Sequence, residues 1–194
     1  MPANTPLQDE ILAFWFGHPG AAGFGEPRTE WFRKDPAFDT MLRKRFGGAI
    51  EAALAGGFGE WTDPRGTLAR VLLLDQFTRN SYRHTPRAFA GDEIALSLAQ
   101  LGVARNDDAR LIPVERCFLY LPFEHAESFT AQEQSIELFT RLAAEPGMAD
   151  QLIWAERHAA IIRRFGRFPH RNAILGRTST PEEIAFLATP GSGF

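Results

Sequence analysis

The helix predicted over residues 64–80 carries polar side chains where its apolar stripe should continue. Leu68, Val71 and Leu72 share one face, and the same helical spacing continues to Asp75 and Arg79. An acid and a base that both point inward can bind a ligand, and each shifts the pKa of the other toward values that are useful in catalysis. An internal Asp75–Arg79 ion pair that only joins helices explains the same spacing. A second polar row on this helix consists of Gln76, Asn80 and Arg83.

A second helix, predicted from Pro113 to about Ser128, repeats this pattern. Its apolar stripe continues into Glu124 and His125, and Pro122 removes a backbone hydrogen bond and predicts a kink just before them. Glu124 or Asp75 would serve as a general base with a histidine as its partner. The structural alternative pairs Glu124 with an arginine and leaves His125 as a hydrogen-bonded core residue. The stripe that precedes them is Val114, Cys117, Phe118 and Leu121.

The segment from Arg157 to Pro181 is strongly basic within an acidic chain. It has a formal charge of +6, since it holds six arginines and no acid, whereas the whole chain has −3. Arg167 and Arg171 would clamp a carboxylate or a phosphate, and Pro169 would open a short helix whose free N–H groups extend that anion site. Alternatively, the arginines neutralise acids of other segments, namely Asp75, Glu124 and Glu127. The other polar residues of the segment include His158, His170 and Asn172.

Helix-start and helix-stop signals recur along the chain and predict the elements that position these residues. Asp or Thr followed by Pro marks several starts, Thr130 to Glu133 has the spacing of a capping box, and Gly166 is typical of a left-handed helix end. Runs of alternating β-branched residues are absent. We therefore predict an all-α fold of seven to nine antiparallel helices in a single domain, residues 1–194. The predicted helices cover Thr5 to Gly17, Asp35 to Gly56, Asp63 to Asn80, Asp92 to Leu101, Pro113 to Ser128, Thr130 to Glu145, Ala149 to Phe165 and Thr180 to Leu187.

The composition excludes several classes of protein. Of the 194 residues, 44% are hydrophobic and 23% are charged, which excludes a disordered chain. The single cysteine, Cys117, excludes an internal disulfide. A net charge of −3 with only two lysines argues against nucleic acid or a membrane as a partner. The polar N-terminal residues do not resemble a signal peptide, so we expect a cytoplasmic protein.

No motif for a cofactor is recognisable in the chain. A Gly-x-Gly-x-x-Gly loop and a Walker-type Gly-Lys-Ser/Thr loop are both absent, so the sequence predicts no cofactor. A metal site would have to combine His125, His158, His170 and Glu124. No two of these residues are three or four positions apart, which disfavours a metal.

Five motifs stand in order along nearly the whole chain: Ile11 to Gly17, Trp31-Phe32, Leu74 to Asn80, Tyr120 to Glu127, and Arg164 to Asn172. Together they resemble the bacterial domain-of-unknown-function family numbered 924. The resemblance implies a helical fold similar to tetratricopeptide-like hairpins that pack in a right-handed array. It implies no activity, because none is established for that family.

These observations support two hypotheses from different classes. The first is a polar, arginine-rich site that binds an anionic small molecule or a short peptide, with hydrolysis as the candidate reaction. The alternative is a tetratricopeptide-like interaction module that binds the acidic tail or the C-terminus of a partner. A deep site of mixed charge favours the first, and a long basic groove favours the second. The candidate catalytic residues are Asp75, Glu124, His125 and His170, and the candidate ligand-binding residues are Gln76, Arg79, Asn80, Arg167, Arg171 and Asn172.

Two side-chain groups have roles that the sequence leaves open. If Arg167 clamps the ligand, Arg167→Ala abolishes binding with little loss of fold, whereas unfolding of the variant would support a structural role. Trp31, Phe32 and Trp61 fit either the face of a homodimer or the core.

Overall fold

A computed structural model of the chain describes residues 6–31 and 33–193. In these ranges eight helices form and no strand does, which confirms the all-α class and the number of helices, while the tetratricopeptide-like array stays a prediction. None of these helices combines the length and the apolar character that crossing a bilayer requires. α3 runs continuously through three segments, Pro64–Val71, Leu72–Phe77 and Thr78–Ser81. The other helices are α1 (Pro6–Phe16), α2 (Pro36–Leu54), α4 (Asp92–Ala104), α5 (Pro113–His125), α6 (Phe129–Leu142), α7 (Ala149–Phe165) and α8 (Pro181–Leu187).

The structure confirms the helix starts predicted at Asp35, Asp63 and Thr180. Asp35 Oδ1 accepts hydrogen bonds from two backbone N–H groups in the first turn of α2, at 2.9 and 3.2 Å. Asp63 and Thr180 accept equivalent bonds at the starts of α3 and α8. Gly166 ends α7 with a φ of 70°, the left-handed conformation that glycine favours. The cap predicted at Thr5 lies outside the described residues.

The boundary between α5 and α6 differs from the prediction. α5 continues past Pro122 but ends at His125 instead of Ser128. Ser128, and not Thr130, caps α6, with extended backbone and an Oγ that accepts from the Ala131 N–H at 3.4 Å. The helix ends early because side chains from α6 and from the turn after α7 bind its last carbonyl groups. Local spacing in the sequence contains no sign of these tertiary contacts.

α3 lies at the centre of the fold and packs against α1, α2, α4 and α5. Its residues from Val71 to Leu74 are all buried, as expected for a helix that is apolar on every side. Aromatic rings fill the space between the helices, and Phe118 of α5 packs on Trp31 at a ring-centroid distance of 4.8 Å. Trp31 and Trp61 are both buried, so the core alternative is correct for them. Phe32 lies outside the described residues.

The middle segment of α3, Leu72–Phe77, is a π-helix and contains Asp75 and Gln76. The wider turn changes which backbone groups meet, and the Thr78 hydroxyl donates a hydrogen bond to the Leu73 carbonyl at 2.6 Å. Single π-helical turns inside α-helices are often found at functional sites. The polar residues singled out in the sequence therefore lie on an irregular part of the central helix.

Gly91, immediately before α4, packs directly on this π-helical segment. A Cβ at Gly91 would lie 2.9 Å from the Leu74 carbonyl carbon, and backbone cannot move aside as a flexible side chain can. We expect Gly91→Ala to lower the free energy of unfolding by about 1–3 kcal/mol in chemical denaturation. Gly102→Ala, within α4, is the control, because its Cβ would meet only side-chain atoms at 3.7 Å. Equal losses in both variants would contradict the prediction.

Candidate functional site

Asp75 is the centre of a polar network that joins four parts of the chain. Its side chain is 0% exposed, yet three polar groups bind it. Asp75 Oδ1 lies 2.7 Å from His125 Nδ1 and 3.3 Å from Arg79 Nη2, and Asp75 Oδ2 accepts from Gln76 Nε2 at 2.6 Å. Asp92, the first residue of α4, and Arg171, in the 3-10 turn Pro169–Arg171, complete the network. We call it the Asp75 cluster, and its members are Asp75, Gln76, Arg79, Asp92, His125 and Arg171.

The surroundings of Asp75 and His125 fix their protonation states. Burial opposes ionisation of Asp75, but its interactions with His125, Arg79 and Gln76 outweigh burial and hold the pKa of that carboxyl well below its usual range. Burial also lowers the pKa of His125, so its imidazole is neutral at pH 7. Nδ1 of a neutral His125 must carry the proton, because an ionised Asp75 can only accept. Nε2 is then the acceptor nitrogen, on a side chain that is 16% exposed.

Arg79 and Arg171 approach each other across the carboxylate of Asp92. Arg79 Nη2 donates to both Asp92 oxygens at 2.9 Å, and Arg171 Nη1 donates to Oδ2 at 3.3 Å. Both guanidinium groups also lie over the ring of Phe89, with centroid distances of 5.2 and 4.8 Å. Burial and the neighbouring charge of Arg79 lower the pKa of Arg171 to about 10, so it stays cationic at pH 7. The guanidinium groups of Arg79 and Arg171 therefore lie close together at a partly exposed site.

Side chains from two other elements hold the end of α5, and thus His125, in place. Gln132 of α6 is buried, and its Nε2 donates to the carbonyl oxygens of Glu124 at 2.7 Å and Ala126 at 2.9 Å. Arg171 Nη2 donates to the His125 carbonyl oxygen at 3.0 Å. These are the carbonyl groups that the last turn of a helix leaves without a backbone partner. The backbone of His125 is therefore fixed independently of its contact with Asp75.

Glu124 forms a second carboxyl–imidazole contact beneath the cluster, with His158 of α7. Glu124 Oε1 lies 3.0 Å from His158 Nδ1, and the Trp154 carbonyl oxygen lies 2.8 Å from the same nitrogen. Burial, followed by the charge of Asp75, raises the pKa of Glu124 to about 8. Burial, followed by the nearby His125, lowers the pKa of His158 to about 3. Both groups are mainly uncharged at pH 7, so Glu124 does not neutralise an arginine.

Four of the predicted site residues lie outside the Asp75 cluster in addition to Glu124. Asn80 Oδ1 accepts from Arg83 Nη2 at 2.6 Å, on the side of α3 that faces α2. Arg167 and Asn172 both donate to Glu183 of α8. His170 packs beside Phe168 at a ring-centroid distance of 5.7 Å. Burial, followed by Arg171 and Arg79, lowers the pKa of His170 to about 4.

The anion site predicted at Pro169 is occupied by a carboxylate of the chain itself. Pro169 opens a 3-10 turn of only three residues. The Phe168 N–H donates to Glu127 Oε1 at 2.8 Å, and Arg177 Nη1 binds Glu127 Oε2 at 2.6 Å. The alternative in which an arginine neutralises Glu127 is therefore correct, and the arginine is Arg177.

Arg167 anchors α8 through Glu183, which is buried. Arg167 Nε and Nη2 donate to the two Glu183 oxygens at 2.7 and 2.8 Å. We expect Arg167→Ala to lower the free energy of unfolding and to speed hydrogen exchange in α8, because it leaves the Glu183 carboxylate without its cation. Arg164→Ala is the control, since the Arg164–Glu182 pair also joins α7 to α8 but is exposed. Equal effects of both substitutions would exclude the anchoring role.

Sequence reasoning missed Asp92, Phe89 and Gln132. An acid in the first turn of a helix is common, so Asp92 gave no signal beyond that of a helix start. The capping-box spacing indicates only that Gln132 lies in the first turn of a helix. The sequence offers His158 only as a polar residue of the basic segment and as a candidate metal ligand. Within residues 6–31 and 33–193, no group of three or more His, Cys, Asp or Glu side chains is arranged to hold a metal ion. Two surface grooves along α1 and α2 contain no member of the Asp75 cluster.

The chain is similar to known proteins over nearly its full length. The model of the family described as "Bacterial protein of unknown function (DUF924)" matches residues 11–191. Among solved structures, a protein of unknown function from Agrobacterium tumefaciens is 39% identical, with 94% of this chain and 97% of that chain covered and a TM-score of 0.83. No curated protein sequence matches. The chain therefore belongs to the bacterial DUF924 family of proteins of unknown function.

Proposed function

We propose that the Asp75 cluster binds a small anionic molecule and hydrolyses it, with His125 as the general base. The observation that carries this proposal is the 2.7 Å contact between a fully buried Asp75 and Nδ1 of a partly exposed His125. A carboxylate in this position fixes the tautomer of the imidazole and stabilises the imidazolium ion that forms when Nε2 takes up a proton. The His125 side chain is 16% exposed, so the imidazole is in contact with solvent although its carboxylate partner is fully buried.

The proposed reaction balances with water as the only co-reactant. His125 Nε2 removes one proton from water as the oxygen adds to an acyl carbon of the substrate, and Asp75 stabilises the resulting imidazolium. The bond between the acyl carbon and the leaving oxygen then breaks, and His125 returns the proton to that oxygen. Arg79 contacts the same Asp75 oxygen as His125, so its positive charge lies next to the proposed base and attracts an anionic substrate to it.

Two features favour this function over an interaction module for acidic tails. The Asp75 cluster mixes carboxylates with arginines, whereas a groove for an acidic peptide would be mostly basic. Arg167, which would extend a basic groove beyond Arg171, is already bound to Glu183. Binding of an acidic peptide without hydrolysis of any small ester remains the result that would favour the module.

The test compares an anionic ester with an uncharged one. We expect hydrolysis of 4-acetoxybenzoate to be faster than that of phenyl acetate, and His125→Asn to slow it by about a hundredfold. The Asn side chain can still donate to Asp75 but cannot accept the proton. The rate should rise with pH through the lowered pKa of His125 and be constant above neutrality, because the base acts in its neutral form.

The control for this test is His84→Asn. His84 is exposed and has a φ of 65°, a conformation that asparagine tolerates. Its substitution should leave the rate unchanged. Equal rates in the wild-type protein and in His125→Asn, or no hydrolysis above the buffer rate for either ester, would contradict the proposed function.

A further inference from the structure

The carboxylate of Asp92 sits where a ligand carboxylate would bind. It is held edge-on by Arg79 Nη2, which donates to both of its oxygens at 2.9 Å, and by Arg171 Nη1 at 3.3 Å. Arginine binds carboxylates through such charge-assisted hydrogen bonds, although here each guanidinium uses a single nitrogen. The Asp92 side chain is 19% exposed, so the position can be reached from solvent. Phe89 lies against both guanidinium groups and holds them side by side.

Charge in the Asp75 cluster balances only while a carboxylate occupies this position. Arg79 and Arg171 supply two positive charges, and Asp75 and Asp92 supply two negative ones. Without Asp92 the cluster has an excess of one positive charge, which one monoanionic ligand would neutralise. Burial nevertheless raises the pKa of Asp92, although Arg79 opposes this effect. The attraction of the two arginines therefore does not fully offset the cost of burying the Asp92 carboxylate.

The backbone at Asp92 is fixed, so only its side chain has to move to free the arginines. Gly91 is in contact with the Leu74 carbonyl group, and its own carbonyl accepts the first hydrogen bond of α4 from Ala95 at 2.8 Å. Asp92 is also in the first turn of α4, where the helix dipole favours a carboxylate in any rotamer. A displaced Asp92 side chain keeps this stabilisation.

We propose that the Asp92 carboxylate occupies the binding position of the substrate carboxylate, and that the carboxylate of a small organic acid displaces it from Arg79 and Arg171. This inference rests on the proposed function and adds the class of ligand and a form of control. Because Arg79 and His125 both contact Asp75, a ligand held by Arg79 binds beside His125. Asp92 keeps the arginines paired until such a ligand arrives.

Removal of the Asp92 carboxylate should strengthen the binding of a small carboxylate ligand instead of weakening it. We expect Asp92→Asn to bind benzoate more tightly than the wild-type protein by about tenfold or more, the equivalent of one charge-assisted hydrogen bond. Binding is measured by calorimetric titration at constant ionic strength, because exposed charges are screened by salt. Asp39→Asn is the control, since it breaks the Arg83–Asp39 pair outside the cluster and changes the net charge equally.

The result that overturns the proposal is equal or weaker benzoate binding by Asp92→Asn, or equal tightening in Asp39→Asn. Inorganic phosphate provides a second arm, and tightening for phosphate without tightening for benzoate would contradict the carboxylate class. Asp92→Ser is the replacement if the Asn variant does not fold, and failure of both to fold would show that Asp92 cannot leave the arginines. Benzoate binding does not depend on hydrolysis, so tighter binding without any ester hydrolysis would refute only the proposed function.

Discussion

Asp75→Ala is expected to lower the free energy of unfolding by about 3–5 kcal/mol, the usual cost of removing one partner from a buried ionic network. Asp75 is fully buried and contacts His125, Arg79 and Gln76. Its removal leaves the His125 and Gln76 donors without this acceptor, and it leaves Arg79 with Asp92 as its remaining carboxylate partner and with less compensating charge. Chemical denaturation of the wild-type protein and the variant measures the difference.

The control for this prediction is Asp39→Ala. Asp39 also binds an arginine with both carboxylate oxygens, at 2.6 and 3.2 Å, but Arg83 and Asp39 are both partly exposed. Solvent screens such a pair, so we expect a loss of about 1 kcal/mol or less. A loss for Asp75→Ala no greater than that for Asp39→Ala would mean that the buried network contributes little to stability.

A large loss of stability in Asp75→Ala is compatible with a catalytic site. The same burial that makes Asp75 costly to remove keeps His125 in one tautomer, so a structural and a chemical role share one set of contacts. His125→Asn separates the two roles, because it keeps a donor for Asp75 and removes only the proton acceptor. The hydrolysis measurement therefore has to be made on the His125 variant, whose fold the substitution should preserve.

Helical periodicity was sufficient to predict the inner half of the site. Asp75 and Arg79 continue an apolar stripe, and so do Glu124 and His125, because burial of one helix face repeats with the helical period. Helical spacing alone predicts that these four side chains face the interior, without any information about their partners. Helix starts at aspartate–proline pairs were equally predictable, since the cap depends on backbone groups within three residues.

The sequence does not indicate which carboxylates bind the arginines of the basic segment. Arg167 and Arg171 are four residues apart in one basic segment, yet Arg167 binds α8 and Arg171 binds α4. Both side chains are long, and the choice of carboxylate depends on how the 3-10 turn directs each of them in the folded chain. The capping of α5 by Gln132 is likewise a tertiary contact. The π-helical turn in α3 also has no signature in the sequence, because Leu72 to Phe77 are residue types that an ordinary α-helical turn accommodates equally well.

Glu124 by itself should lower the stability of the protein as pH rises from about 4.5 to 8. Burial raises the pKa of this carboxyl to about 8, from an ordinary value of 4.5. Between these values the unfolded chain releases the proton and the folded protein keeps it, so rising pH favours unfolding. At about 1.4 kcal/mol per pH unit, the full penalty amounts to about 4–5 kcal/mol. Below pH 4.5 it disappears, and above pH 8 it is constant.

Between pH 6.5 and pH 8, the effect of Glu124 on stability can be distinguished from that of the buried histidines. Burial lowers the pKa of His158 to about 3 and that of His170 to about 4, so both increase stability with rising pH only up to about 6.5. Above that value the effect of Glu124 dominates, and Glu124 should lower the free energy of unfolding by about 2 kcal/mol by pH 8, relative to a variant without its carboxylate. Glu124→Gln, which mimics the protonated acid, should show no such fall.

Glu133→Gln is the matched control for this experiment, because Glu133 is an exposed glutamate on α6. It should keep the fall seen in the wild-type protein. If Glu124→Gln also kept it, the buried carboxyl would already be ionised at neutral pH, with His158 as its cationic partner. The charge of the Asp75 cluster would then change, since an anionic Glu124 beneath it would repel the carboxylate ligand inferred for Arg79 and Arg171. The pH dependence of folding thus tests the charge balance on which the proposed anion site depends.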